Sequence, residues 1–210
     1  MIAFLTLLPF ALGAFASPIA NLARDEPGPW CNGLGPGAFD IAYNFTLDAY
    51  NSTLPNSNST GAPVVIGQAG AVDGASFKIF STWASYPYND YPNFSLLSGA
   101  FHPNYEGGLD VGISDSNVTA GNPPSFIVTS LDLPAPAQIY CGVADTDPYG
   151  GGTGYPLLAV NGDTDSFALC SAGDYYLAQT NVIYKPTADN SGQYLFDSCY
   201  SVKLQMIGLY

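Results

Sequence analysis

His102 is the only histidine among the 210 residues of the sequence, and it lies in the segment AFHPN. Nucleophilic hydrolysis would require a general base of this kind beside a serine, but no Gly-x-Ser-x-Gly segment occurs. A zinc or copper site built on several histidines is excluded by the count. We therefore predict a protein that is not an enzyme and that carries no metal and no cofactor.

Aspartate pairs are the second group of residues that could do chemistry. Asp145 with Asp147, and Asp163 with Asp165, resemble fragments of calcium-binding loops, but an EF-hand loop from Asp145 would need glutamate where Pro156 stands. Aspartate also stabilises tight turns, and we predict this role for both pairs, with a non-EF calcium site as the alternative. Since glycoside hydrolysis requires two carboxyl groups at a set separation, an extracellular glycoside hydrolase that uses Asp pairs is the third function considered.

An aromatic loop, WASYPYNDYPNF at residues 83–94, is the best candidate for a binding surface. Pro87 and Pro92 favour an extended backbone, exposed aromatic rings stack on sugar rings, and amide or carboxyl groups bond sugar hydroxyls. The alternative is that the rings fill the core beneath a long loop. The candidate carbohydrate-binding residues are Trp83, Tyr86, Tyr88, Asn89, Asp90 and Tyr91.

Four cysteines stand far apart, at Cys31, Cys141, Cys170 and Cys199. Their spacings fit none of the usual zinc-ligand pairs, and an even count in a secreted chain indicates disulfides. Of the three possible pairings we favour Cys170–Cys199, which closes a hairpin-scale segment, together with Cys31–Cys141, which ties the N-terminal arm to the middle of the chain.

The N-terminus indicates a secreted protein, and the C-terminus and the net charge bear on its partners. Residues 1–16 form a short apolar run that ends in Ala-Phe-Ala, the pattern of a signal peptide, and residues 17–36 read as an extended arm or pro-segment. The C-terminus lacks the apolar tail of a lipid-anchor signal, so we expect no membrane anchor. The formal net charge of −13 repels phosphate backbones, which makes nucleic acid a poor partner.

N-glycosylation acceptors are frequent in the first 120 residues. In a secreted chain, Asn-x-Ser/Thr segments are sites for glycans on the surface. The five candidate asparagines are Asn44, Asn51, Asn58, Asn93 and Asn117.

The elements that must position these residues are short strands. In FDIAYNFTLDAY, residues 39–50, strict alternation places one set of side chains inward and leaves Asn44 on the polar face; the inward set is Phe39, Ile41, Tyr43, Phe45, Leu47 and Ala49. Further strands are predicted at 63–69, 75–83, 94–101, 109–113, 125–131, 137–143, 155–160, 165–170, 175–178, 181–185, 193–198 and 199–207.

About a dozen short strands separated by turns predict one all-β domain over residues 37–210. Few charges, many aromatic residues and many Gly and Pro residues agree with this interpretation. We expect an antiparallel sandwich or barrel. A β-trefoil is the alternative, ranked second because no threefold repeat is found.

The last 55 residues resemble a known family. The order is YPLLAVNG, then DSFALCSAGDYYLA, then NVIYKPT, then CYSVKLQMIGLY, which is similar to the small secreted cell-wall proteins of filamentous fungi related to the phialide protein PhiA, some of them described as IgE-binding. The resemblance implies an extracellular or wall-associated, non-catalytic protein with a Cys170–Cys199 bridge.

We therefore expect a secreted, glycosylated, non-catalytic protein of the fungal cell wall or its surroundings, whose partner is cell-wall polysaccharide. A carbohydrate-binding module or lectin, with reversible sugar recognition at residues 83–94, is the alternative.

Overall fold

The computed structural model describes residues 26–56, 58–106, 112–145 and 152–209. The signal peptide predicted for residues 1–16 therefore lies outside the described residues, as does Asp147. Within these ranges, two short 3-10 helices, η1 (Pro29–Cys31) and η2 (Phe196–Ser198), accompany thirteen strands. The strands are β1 (Ala38–Phe39), β2 (Ile41–Tyr50), β3 (Ala62–Val72), β4 (Ala75–Thr82), β5 (Asn93–Leu97), β6 (Ala100–Asn104), β7 (Gly112–Asp115), β8 (Ser125–Thr129), β9 (Tyr140–Val143), β10 (Leu157–Val160), β11 (Phe167–Ser171), β12 (Thr180–Tyr184) and β13 (Tyr200–Ile207).

Six of these strands close into a barrel in which every pairing is antiparallel. The order runs β2, β3, β4, β12, β11, β13 and back to β2. Alternate side chains point inward and bury Leu47, Ile66, Phe80, Leu169 and Leu204 in one apolar cluster. The all-β prediction is confirmed, with a barrel at the centre of the sheet. The strand order of this ring does not repeat threefold, as a trefoil would require.

The remaining strands extend the sheet outward from the barrel. The β5–β6 hairpin pairs with β2, β8 joins β7 to β4, and β10 joins β9 and β1 to β13. Aromatic rings from the barrel and the extensions meet at centroid distances of 5.1–6.1 Å. Such pairs add about 0.5–1.5 kcal/mol each beyond burial. The rings are those of Phe45, Phe80, Phe94, Phe101, Phe126 and Tyr140.

The alternation predicted for residues 39–50 holds only from Phe45 onward. A bulge interrupts the β2–β5 register between Ala42 and Phe45, and Asn44 adopts a left-handed φ of 55°. A bulge moves the preceding side chains to the opposite face. Ala42 is consequently buried, whereas Ile41 and Tyr43, which we expected inside, are exposed.

Three predicted strands are also corrected. The segment 94–101 is a hairpin, because Ser98 and Gly99 both have positive φ, as a type I′ turn requires. Residues 175–178 form a turn closed by a hydrogen bond from Ala178 N to Tyr175 O (3.1 Å). Residues 193–198 contain η2 in place of a strand.

Both predicted disulfides are confirmed. The arm disulfide, Cys31–Cys141, fastens η1 to β9, and the terminal disulfide, Cys170–Cys199, fastens β11 to the residue before β13. The described part of the arm is held further by Asp40, whose Oδ2 accepts hydrogen bonds from the Trp30 indole (3.0 Å) and the Gly28 amide (2.9 Å). Because the indole lies against Gly99, the described part of the arm, residues 26–36, belongs to the folded body.

Candidate functional site

A cleft opens where β2 changes partners. β2 pairs with β3 through Leu47–Ala49 and with β5 through Ile41, Ala42 and Phe45. Thr46 lies between these two pairings, and beside it is a cleft of about 440 Å³. We call it the Trp83 cleft. Residues 46–48 and 63–65 line it from the strands, and the rest of its wall consists of Trp83, Asn89, Tyr91, Pro92 and Phe94.

Hydrogen bonds to the barrel hold the aromatic loop over this cleft. The Trp83 amide donates to Pro63 O at 2.8 Å, which fixes the start of the loop against β3. Ser85 and Tyr86 donate their amides to Thr82 O at 3.1 and 3.0 Å. The Ser85 hydroxyl in turn accepts the Thr180 amide at 2.8 Å. The loop therefore begins at a fixed point of the barrel.

Five of the six predicted carbohydrate-binding residues divide into two groups. Trp83, Asn89 and Tyr91 line the Trp83 cleft. Tyr86 and Tyr88 form a ring pair outside it, with centroids 5.0 Å apart.

Exposure differs among the aromatic rings of the loop. Trp83 is 44% exposed and Tyr88 is 62% exposed. Tyr91 is buried, as the core alternative proposed, and packs on the ring of Tyr105 at 5.5 Å. The sixth candidate, Asp90, is exposed, and its carbonyl accepts the Glu106 amide at 3.2 Å.

Asp48 is a member of the cleft that the sequence prediction missed. It is only 8% exposed, and the Thr60 hydroxyl donates a short hydrogen bond to its Oδ2. Burial raises the pKa of its carboxyl, and the bond from Thr60 partly offsets the rise. The alternation did place Asp48 on the polar face of its strand. Its burial depends on the loop that ends at Thr60, which local pattern does not reveal.

The cleft combines the groups that recognise sugars. An indole face packs on the C–H groups of a pyranose ring, while the Asn89 amide and the Asp48 carboxyl can bond hydroxyl groups. A volume of about 440 Å³ lies in the range of small-molecule sites. The site therefore suits one or two sugar rings of a longer chain.

The described residues around His102 do not assemble a catalytic triad. His102 lies on β6 directly opposite Ser95 on β5. The Ser95 hydroxyl accepts a hydrogen bond from the Asn104 amide nitrogen at 3.0 Å. Burial lowers the pKa of His102, and among the described residues no carboxylate hydrogen-bonds its ring.

The aspartates of the predicted turns bond to their own turns and to lysines. Asp163 Oδ1 accepts the Asp165 amide at 2.9 Å, and its Oδ2 forms an ion pair with Lys185 at 3.1 Å. Asp165 pairs with Lys203 at 3.1 Å. Asp145 accepts the amide and hydroxyl of Thr153. Within the described ranges, no three His, Cys, Asp or Glu side chains converge as metal ligands would.

The five glycosylation candidates differ in accessibility. Asn44, Asn58 and Asn117 are exposed. Asn93 is half-buried and accepts a hydrogen bond from the Asn104 side-chain nitrogen at 2.5 Å. Asn51 is buried, and its Oδ1 accepts the amides of residues 53 and 54 at 2.8 and 2.9 Å. On the folded surface, the first three present their side chains to solvent.

Neither a family model, nor a curated protein, nor a solved structure matches this chain. Within the part of the chain that the structure describes, no helix is both long enough and apolar enough to cross a membrane. The geometry of the Trp83 cleft is therefore the main basis for a functional proposal.

Proposed function

We propose that this chain is a secreted, glycosylated, non-catalytic surface protein, of the fungal cell wall or its surroundings, that binds polysaccharide through the Trp83 cleft. The observation that carries the proposal is the placement of three of the six predicted sugar-binding residues in one cleft. The half-exposed Trp83 and Asn89 line this cleft together with the buried Asp48.

Two further observations support the secreted, wall-associated part of the proposal. The two disulfides are consistent with an extracellular protein, since such bonds persist in oxidising compartments. The resemblance of the last 55 residues to fungal cell-wall proteins agrees with a structural role at the cell surface. Occupied acceptors at Asn44, Asn58 and Asn117 would face water, as their exposure allows.

Retention on insoluble polysaccharides tests the proposal. The wild-type protein is incubated with chitin, β-glucan and cellulose, and the bound fraction is compared with those of Trp83→Ala and Tyr88→Ala. Tyr43→Ala is the matched control, because Tyr43 is 61% exposed, like Tyr88 at 62%, but does not line the cleft. We expect Trp83→Ala to lose about 1–3 kcal/mol of binding, the usual range for a buried aromatic contact. Equal retention of Trp83→Ala and Tyr43→Ala on every polymer would contradict the proposal.

A lectin is the second candidate, and the shape of the site favours it. A bounded cleft with polar groups in its wall suits a short soluble sugar better than a flat polymer surface does. Saturable calorimetric binding of a soluble oligosaccharide would identify the lectin, whereas retention on insoluble polymer alone would identify the wall component.

A glycoside hydrolase remains the third candidate. It has weaker support, because Asp48 is the one carboxyl group among the described residues that line the cleft, and this reaction uses two. Turnover on a panel of polysaccharides, abolished by Asp48→Asn, would promote the hydrolase above the other two.

A further inference from the structure

We propose that the Trp83 cleft selects saccharides that carry a protonated amino group, as in glucosamine units, over neutral or N-acetylated sugars, and that Asp48 binds the amine. This inference rests on the proposed function, because it names the class of sugar that the same cleft takes.

The first argument is the state of the Asp48 carboxyl. It is 8% exposed and lines the cleft, yet among the described residues only Thr60 bonds to it, through Oδ2. Its second oxygen, Oδ1, has no hydrogen-bond donor within the described ranges. A nearly buried carboxylate with a free acceptor is stabilised strongly by a cationic donor, because charge-assisted bonds are about twice as strong as neutral ones.

The second argument is the absence of a competing cation in the lining. The described residues of the cleft wall include no lysine, arginine or histidine. Apart from Asp48, Tyr91 is the one titratable group among them. Opposite Asp48 on β13 lies the neutral Gln205, and Lys203, two residues away on that strand, is paired with Asp165. A ligand amine would therefore supply the positive charge that the described cleft lining lacks.

The third argument is the aromatic wall. Trp83 presents its ring on the same cleft as Asp48, and an indole face attracts an ammonium group as well as packing on a sugar ring. Burial raises the pKa of the Asp48 carboxyl, and a bound ammonium group lowers it again, so that binding favours the carboxylate. A neutral N-acetyl group can make hydrogen bonds here but forms no ion pair.

Calorimetry with two matched tetrasaccharides tests the inference. Glucosamine tetramer and N-acetylglucosamine tetramer are titrated into the protein at about pH 6, where the free amine is protonated. We expect the wild-type protein to bind the glucosamine tetramer about tenfold or more tightly, in line with one charge-assisted bond. Short oligomers are used because a protein of net charge −13 would bind a long polycation unspecifically.

Two variants separate recognition by Asp48 from general charge attraction. Asp48→Asn should reduce the affinity for the glucosamine tetramer about tenfold more than it reduces the affinity for the N-acetylated tetramer. Asp132→Asn removes the same charge from an exposed loop and should change neither affinity. A third arm needs no variant: at about pH 8.5, where the sugar amine is largely neutral, the wild-type preference should vanish.

The outcomes distinguish the inference from the function on which it rests. Equal wild-type affinity for the two tetramers at pH 6, or an equal loss in Asp48→Asn and Asp132→Asn, would overturn the inference while sugar binding stands. If neither tetramer binds and Trp83→Ala retains as much polysaccharide as Tyr43→Ala does, the proposed function itself fails.

Discussion

Asp115 makes the stability of this protein depend on pH in a direction opposite to that of an ordinary paired carboxylate. Its side chain is buried, and its two oxygens accept the backbone amides of Phe101 and Ala137, each at 3.0 Å. Burial raises the pKa of the carboxyl from 3.8 to about 6, and the two amides only partly oppose the rise. The folded protein therefore retains this proton at a pH where the unfolded chain has lost it.

The magnitude follows from linkage between proton binding and folding. A pKa that rises from 3.8 to about 6 corresponds to about 3 kcal/mol, at about 1.36 kcal/mol per pH unit. This contribution is fully present below pH 3.8 and is lost as the pH rises through about 6. The side chain in Asp115→Asn is neutral at every pH, so the free energy of unfolding of that variant lacks this pH-dependent contribution.

Urea unfolding of the wild type and Asp115→Asn at about pH 4, 5, 6 and 7 measures the difference. We expect the free energy of unfolding of the variant, relative to the wild type, to rise by about 2.4 kcal/mol between pH 4 and pH 7, because the unfolded carboxyl is already partly ionised at pH 4. Any constant loss from a missing hydrogen bond cancels in this comparison, and Asp132→Asn provides an exposed control. If the free energy of unfolding of Asp115→Asn, relative to that of the wild type, stays constant or falls between pH 4 and pH 7, the reasoning is refuted.

Three further predictions concern stability. The arm disulfide closes a loop of 110 residues and the terminal disulfide a loop of 29. By loop length alone, removing the arm disulfide by double Cys→Ser substitution should cost ~4.8 kcal/mol of stability, and removing the terminal disulfide ~3.6 kcal/mol. A larger loss for the terminal disulfide in urea unfolding would contradict this order. The amide group of Gln205 is buried without partners in the described structure, so Gln205→Met should raise the free energy of unfolding by about 1–2 kcal/mol, and a loss would count against it. Gly99→Ala should cost about 2 kcal/mol or more in thermal unfolding, because φ is +79° and a Cβ would lie 2.3 Å from the Trp30 indole nitrogen. The control Gly192→Ala has a similar φ of +75° but open space around the added Cβ, so it should cost about 1 kcal/mol. Equal losses in the two variants would exclude the indole contact as a cause.

Sequence periodicity predicted the all-β class and most strands because a half-buried strand leaves a local signature. It failed where backbone conformation changes at a single residue. The left-handed φ at Asn44 reverses the faces of residues 41–43, and the positive φ at Ser98 turns one predicted strand into a hairpin. Asn44 is not a glycine, so the local pattern contained no clear signal for the first change. The second was signalled by the Ser98–Gly99 dipeptide, a common turn sequence, which the strand prediction for residues 94–101 did not take into account.

The candidate site was predicted in part for the same reason. Aromatic and proline content located the loop at residues 83–94, yet composition alone does not separate the buried Tyr91 from the half-exposed Trp83. The role of Asp48 depends on long-range packing: the loop that ends at Thr60 covers its carboxyl, and the change of partner strand along β2 opens the cleft beside it. Both features arise from the barrel topology.

Tryptophan fluorescence tests sugar binding at the cleft most directly, because the chain has only two tryptophans, Trp30 and Trp83. In Trp30→Phe the emission reports on Trp83 alone, and in Trp83→Phe on Trp30 alone. Titration with soluble chitin, chitosan and glucan oligosaccharides should change the emission of Trp30→Phe saturably and reduce its quenching by iodide, with no change in Trp83→Phe. An emission from Trp83 that stays constant at millimolar concentrations of every oligosaccharide would contradict the proposal that this cleft binds polysaccharide.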